Sequence, residues 1–160
     1  MTEQISQSID AGADGIVCGA LRKTNTVDIK ALEQFIKAAQ GLPVTFHRAL
    51  ESVSDIEESI SLLIDHGVKR ILYGGKSGNA YENRNELAEV NEYIKGRMIL
   101  LAGSGINSSN AKVLIQTAHL HEIHASAKYG TTKNNTVNEY DSDPQEVSKL
   151  VHLLATNKEA

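Results

Sequence analysis

The sequence predicts an α/β fold, specifically part of a (β/α) barrel, and three observations support this. Short apolar runs recur about every 24 to 29 residues, and stretches of helical periodicity fill the intervals between them. Four glycines lie between a predicted helix and the apolar run that follows it, where glycine can end the helix in the left-handed conformation. Strict alternation with short loops predicts a parallel sheet with right-handed crossovers. The glycines are Gly12, Gly41, Gly67 and Gly96.

Five strands are predicted from apolar runs that are short enough to be buried on both faces of a sheet. In chain order they are 15–20, 44–49, 70–75, 98–103 and 122–127. Their spacing leaves room for one helix after each strand, and an additional short helix precedes the first strand. The whole chain, 1–160, is therefore predicted to be a single domain.

The helices are predicted from apolar residues spaced three and four apart. Ser54 with Glu57, Asn83 with Glu86, and Asp143 with Glu146 each match the capping-box pattern at a helix start. In chain order the apolar stripes are Ile5 and Ile9; Ile29, Leu32, Phe35 and Ile36; Val53, Ile56, Ile60, Leu63 and Ile64; Leu87, Val90 and Ile94; Val113, Leu114 and Ala118; and Val147, Leu150, Val151 and Leu154.

Two architectures fit this order, an open doubly wound sheet and a closed barrel. The open sheet is typical of nucleotide-binding proteins with a glycine-rich loop after the first strand, and segment 20–27 lacks that pattern. Glycines instead follow the third and fourth strands, at Gly74-Gly75 and around Ser104. Loops after the last strands of a barrel often bind phosphate, so the pattern favours the barrel.

Composition excludes several classes of partner. The net charge is −4 and no basic run of five residues occurs, which argues against nucleic acid or an anionic membrane surface. No stretch approaches the roughly 20 apolar residues of a membrane span. Cys18 is the single cysteine, so no internal disulfide can form, and the expected location is the cytoplasm.

Three residues at predicted strand ends are candidate catalytic residues. Alternation along the strands turns His47 and His124 toward the barrel interior, at the end where barrel enzymes have their active sites. A role as general acid–base or ligand competes with that of a buried, hydrogen-bonded histidine. Arg48, which follows His47, is either an anion clamp at the barrel mouth or a surface arginine that tethers a loop.

A candidate anion-binding loop follows the fourth strand. Its backbone N–H groups precede a helix and can converge on an anion, and the end of the fifth strand lies beside it. The alternative is a tight turn capped by Asn107 or Ser108. A polar segment, 129–142, follows at the same end as a lid or as a disordered loop. The predicted anion-binding residues are Gly103, Ser104, Gly105, Ile106, Asn107, Ser126 and Lys128.

Four segments, in this order and spacing, resemble the copper homeostasis protein CutC family. They are Gly-Ala-Asp-Gly-Ile-Val at 12–17, Pro-Val-Thr-Phe-His-Arg-Ala at 43–49, Ala-Gly-Ser-Gly-Ile at 102–106 and Glu-Ile-His-Ala-Ser-Ala at 122–127. The resemblance implies a TIM barrel in which the five strands correspond to strands four to eight, so the domain is expected to be incomplete at its N-terminus. It also implies copper as the bound ion. Cys18 and His47 are the candidate metal ligands, although Cys18 also suits a small core position.

Three functions remain open from the sequence. The first is copper handling in the cytoplasm, and the second is a barrel enzyme acting on a small anionic or phosphorylated substrate. The third is a non-functional truncated fragment. The expected partners are a small anion or a metal ion, and also a second copy of the chain, because unclosed barrel edges expose unpaired backbone groups.

Overall fold

The computed structural model describes residues 1–129 and 141–157, and these follow the alternating order that the sequence predicts. The strands are β1 (Ile16–Cys18), β2 (Val44–Phe46), β3 (Arg70–Tyr73), β4 (Ile99–Gly103) and β5 (Glu122–His124). The helices are α1 (Thr2–Asp10), α2 (Ile29–Ala38), α3 (Ile56–Asp65), α4 (Arg84–Ile94), α5 (Ala111–Ala118) and α6 (Pro144–Asn157), with a 3-10 helix at Arg48–Ser52 after β2. Most of the segment predicted as a lid, 130–140, lies outside the described residues.

The described strands form one parallel sheet in the order β1-β2-β3-β4-β5. The partial barrel predicted from the repeat is thus confirmed as an α/β sheet of five parallel, sequentially ordered strands. Since all five strands are parallel, the loops that leave them lie together at the carboxyl-terminal end of the sheet. That end holds the predicted catalytic and anion-binding residues.

The helix-facing side of the sheet holds the core. Phe46, Ile71 and Tyr73 are fully buried there, and Leu50 of the 3-10 helix packs with them. A smaller cluster around Cys18 is covered by α1 and α2. Core formation by these apolar side chains is the main source of the stability of the fold.

The predicted stripe of α6 needs correction. Leu150 is buried, but Val147 and Val151 are exposed, and Leu153 joins Leu154 against the core instead. The buried face is therefore rotated from the predicted stripe, because the docking of α6 against α5 selects the face that packs.

The inner face of the sheet is polar at its centre. Thr45 pairs in register with Arg70, so the two side chains lie on the same face. The Arg70 guanidinium donates from Nε and Nη2 to the Glu122 carboxylate at 2.7 and 2.9 Å, reaching over β4. This bidentate pair links β3 to β5 on the face that a closed barrel encloses.

The outer edges of β1 and β5 have no strand neighbour within the described residues. Val17, on the inner face of β1, is 64% exposed. The inner face of the sheet is therefore open to solvent at this strand.

Candidate functional site

His47 follows β2 and begins the 3-10 helix. Its Nδ1 accepts a hydrogen bond from the Ala49 N–H at 3.2 Å, which makes His47 the N-cap of that helix. The ring lies over Gly19 at the end of β1, where an added Cβ would come within 3.0 Å of Cε1 and Nδ1. The glycine therefore leaves the space that the imidazole occupies.

Arg48 is held by Glu51, one turn later. Arg48 donates to both carboxylate oxygens of Glu51, from Nε at 2.7 Å and from Nη2 at 2.9 Å. The same carboxylate accepts the Gly74 N–H at the end of β3 at 3.1 Å. Glu51 thus fixes the guanidinium over the strand ends and also neutralises much of its charge.

Ser104 completes this group at the end of β4. Its hydroxyl lies 3.5 Å from Nη2 of Arg48, and its φ of +106° is in a region that side chains rarely adopt. Glycines allow the strand ends to approach so closely: a Cβ on Gly74 would lie 2.2 Å from the Gly103 carbonyl oxygen. Arg48, Glu51, Gly74 and Ser104 therefore form one compact cluster, which we call the mouth cluster.

A second carboxylate bonds Tyr73, the residue that directly precedes Gly74 of the mouth cluster. The Tyr73 hydroxyl donates a short hydrogen bond to Glu86 of α4. Burial, followed by the Glu86 contact, raises the pKa of Tyr73 well above its usual value, so the phenol stays protonated. Tyr73 therefore acts as a buried hydrogen-bond donor that ties β3 to α4.

Five of the seven predicted anion-binding residues line one pocket. Gly105, Ile106, Asn107, Ser126 and Lys128 all line one pocket of about 460 Å³, whereas Gly103 and Ser104 lie on the side of the mouth cluster. Asp143 and Glu146 from the α6 side line the same pocket. The pocket therefore mixes one lysine with two carboxylates.

Several N–H groups in the turn before α5 already have partners within the protein. Ser108 donates its N–H and its hydroxyl to the Glu146 carboxylate, and the hydroxyl contact is 2.8 Å. The Ser109 N–H donates to Asn107 Oδ1 at 3.0 Å, and the Asn107 N–H donates to Asn110 Oδ1 at 3.0 Å. An external anion at this turn would compete with these side chains.

His124 lies apart from His47. It is exposed on the inner face, paired in register with Gly103, and β3 and β4 separate its strand from β2. Three strand spacings of about 4.8 Å place the two strands roughly 14 Å apart along the sheet. The two histidines thus share the same end of the sheet without forming a pair.

The candidate metal ligands are not brought together either. Cys18 is 2% exposed and lies on the helix-facing side, whereas the His47 ring lies at the strand ends over Gly19. Burial raises the pKa of the Cys18 thiol, which disfavours the thiolate that binds metals. In the described part of the chain, no group of three His, Cys, Asp or Glu side chains could hold a metal ion.

The sequence did not indicate which carboxylates bond the groups near the strand ends. Glu51 could have been found from its spacing of three residues from Arg48, which suits an ion pair on one helical turn. Glu86 and Glu146 were predicted to cap their own helices. Their carboxylates instead bond Tyr73 and Ser108, partners that no local pattern indicates.

The CutC family model matches residues 1–129, most of the chain. The chain belongs to the CutC family. The CutC family protein of Histophilus somni is 38% identical over 128 residues, which are 80% of this chain and 53% of that protein. The CutC family protein of Bacteroides fragilis is 33% identical over 153 residues, covering 96% of this chain and 60% of the relative. The chain thus spans about half the length of the curated CutC relatives it matches.

A solved CutC structure supports the fold. The copper homeostasis protein CutC of Streptococcus agalactiae superimposes with a TM-score of 0.73 at 31% identity, over 77% of this chain and 60% of that one. The recognition of the family from the four sequence segments is therefore confirmed. In the residues that the structure describes, no helix has the length and apolar character needed to cross a membrane.

Proposed function

We propose that this chain acts in copper homeostasis in the cytoplasm. The observation that supports this is the match of residues 1–129 to the CutC family, together with the copper role named for the S. agalactiae protein. The cytoplasmic location is proposed from the single cysteine, since disulfides are typical of small secreted domains.

We propose that the chain binds copper only weakly. Cu(I) prefers thiolate ligands and also accepts imidazole. Cys18 is buried and its thiol pKa is raised, and Nδ1 of His47 is already occupied by the Ala49 N–H. The described side chains therefore do not fit a preformed copper site, and no step of copper transfer is assigned to them.

Competition of the purified chain with a chromophoric Cu(I) chelator tests this proposal. We expect the unsubstituted chain to retain less than one equivalent of Cu(I). Cys18→Ala should retain the least, because the thiolate is the preferred ligand. His47→Ala tests the imidazole, and His152→Ala on the exposed side of α6 is the matched control. A tight one-to-one complex that survives both Cys18→Ala and His47→Ala would show that other residues bind the ion.

A second function, binding of a small oxyanion such as a phosphorylated substrate, is favoured by the mouth cluster. Arg48 is about half exposed, and its Nη1 donates to none of the described residues. Ser104 supplies a hydroxyl beside it at the strand ends, where barrel enzymes bind substrates. Glu51 offsets the charge of Arg48, so we propose a low affinity. No reaction is assigned.

Titration with inorganic phosphate, followed by amide NMR, tests the second function. We expect the largest shifts at Arg48 and Ser104, and smaller shifts along the pocket from Gly105 to Lys128, because Glu146 already accepts from the Ser108 donors there. Gly105→Val should weaken binding, because a side chain there blocks approach to the backbone. Gly67→Val is the matched control, since Gly67 also has a positive φ but an added Cβ meets no atom within 4 Å. The absence of amide shifts at millimolar phosphate would rule out the proposed oxyanion binding.

A further inference from the structure

We propose that His47 is a fixed hydrogen-bond donor to an oxyanion, with its proton held on Nε2, and is neither a general base nor a metal ligand. The proposal rests on the anion-binding function above and deepens it. It assigns an atom to the contact, and it restricts the ligand to one that presents an acceptor oxygen, such as a phosphate or a carboxylate.

The first step is the tautomer. A backbone N–H can only donate, so the 3.2 Å contact from the Ala49 N–H requires a lone pair on Nδ1. A neutral imidazole with an unprotonated Nδ1 carries its proton on Nε2. The N-cap position of His47 therefore selects one tautomer of the two.

The second step is the orientation of the ring. Its Cε1–Nδ1 edge lies against Gly19, and the ring of Phe46 packs on it with centroids 5.7 Å apart. Turning the ring by half a revolution would replace Nδ1 with a carbon and leave the Ala49 N–H without its acceptor. Packing and capping together hold Nε2 in one direction.

The third step is the availability of Nε2. This nitrogen makes no hydrogen bond with a described residue, and no buried polar side-chain atom in that part of the chain lacks a partner. Since His47 is only partly buried, Nε2 reaches solvent. It lies one residue along the chain from Arg48, whose Nη1 likewise donates to none of the described residues.

The fourth step is what this arrangement excludes. A metal ion needs a ring lone pair, but Nδ1 already accepts from Ala49 and Nε2 carries the proton. A general base needs the same lone pair. Either role would require the ring to leave its cap, whereas donation from Nε2 to an oxygen requires no rearrangement.

Two substitutions separate the cap from the donor. His47→Asn can accept the Ala49 N–H with its side-chain oxygen, since asparagine is a favoured N-cap, but it lacks the distal donor. His47→Gln places an amide N–H near the position of Nε2 and loses the cap. We expect His47→Asn to keep its midpoint of thermal unfolding and to bind inorganic phosphate roughly fivefold more weakly, the scale of one hydrogen bond. We expect the reverse for His47→Gln, a lower midpoint with phosphate affinity within about twofold of the original.

Long-range ¹H–¹⁵N correlation spectra of the unsubstituted chain test the tautomer without any ligand. A proton on Nε2, followed by a shift of that nitrogen on addition of phosphate, supports the proposal. A proton on Nδ1 overturns it. The proposal is also overturned if phosphate shifts the amide signals of Arg48 and Ser104 but leaves the His47 ring signals unchanged. That result would leave the anion-binding function standing. If phosphate shifts nothing in the unsubstituted chain, the anion-binding function fails together with the donor role, even where the tautomer is the expected one.

Discussion

At the scale of single residues, Ser104 is the clearest sign of a constraint at the strand ends. Its φ of +106° is costly for any residue with a side chain, by about 1–3 kcal/mol. The hydroxyl in that position contacts Arg48 at 3.5 Å, while Gly74 and Gly103 beneath it have no side chains to interfere. The close approach of β3 and β4 therefore places the polar group at the mouth and strains the backbone there.

Replacement of Ser104 by glycine should relieve this strain. We expect Ser104→Gly to raise the free energy of unfolding by about 1 kcal/mol, the part of the strain that remains after the greater flexibility of glycine in the unfolded chain. Ser104→Ala is the matched control, because it removes the hydroxyl but keeps the Cβ and the strained φ. Urea unfolding measures both. Equal changes in the two variants would show that the hydroxyl, and not the backbone, determines the energy.

At the scale of secondary-structure elements, α6 is attached by one carboxylate to the turn before α5 as well as by apolar contacts to the core. Leu150 packs into the core, and Glu146, in the first turn, accepts from the N–H and the hydroxyl of Ser108. These contacts hold the pKa of Glu146 below its usual range, with a smaller contribution from Lys149. The carboxylate thus takes the place that an external anion would have at the start of α5.

This contact predicts a dependence of stability on pH. Because the folded pKa of Glu146 lies below its ordinary value of 4.5, the ionised carboxylate stabilises the folded state above pH 4.5. That stabilisation is lost as the pH falls through the lowered pKa. Glu146→Gln should therefore cost about 1.5–3 kcal/mol at neutral pH, the scale of a hydrogen bond to a charged group, and the difference should shrink in acid.

Urea unfolding between neutral pH and pH 3 is the measurement for this prediction. Glu92→Gln is the control, since Glu92 is 79% exposed and pairs only loosely with Lys95 at 3.6 Å. Surface pairs of this kind contribute little, so the control should follow the unsubstituted chain at every pH. A Glu146→Gln curve parallel to that of the unsubstituted chain at all pH values would exclude the ionised contact.

At the scale of the whole molecule, the two outermost strands leave one side of the sheet unpaired at each end within the described residues. Within the described residues, β1 and β5 each pair on one side, and the inner face at β1 exposes Val17. An unpaired, apolar strand edge is a template for another chain. We propose that the polypeptide self-associates through these edges.

Sedimentation velocity over a range of concentrations tests the self-association. We expect the sedimentation coefficient to rise with concentration, and Val17→Lys to suppress the rise by placing a charge at the edge. Val113→Lys on α5 is the matched control, because Val113 is 44% exposed but lies on a helix. A monodisperse monomer with strongly protected amides in both β1 and β5 would contradict the proposal.

The sequence by itself determined the order of the elements, the single parallel sheet and the family. Apolar runs and stripes are local, and alternation leaves few topologies, so strand–helix repeats predict the sheet reliably. The positions of the apolar runs also indicated which residues lie at the strand ends. His47, Arg48 and Ser104 lie there, and the loop from Gly105 to Asn107 lines a pocket with Ser126 and Lys128.

The tertiary structure alone decided the partners of the charged and polar groups. Glu86 and Glu146 match capping boxes in the sequence, yet they bond Tyr73 and Ser108, which lie 13 and 38 positions away along the chain. Asp55, not Ser54, caps α3, because Ser54 donates to the Asn25 carbonyl. A buried or half-buried polar group takes the partner that packing brings to it, and packing depends on contacts between distant segments. For the same reason only the fold could show that Cys18 is enclosed by α1 and α2, away from His47.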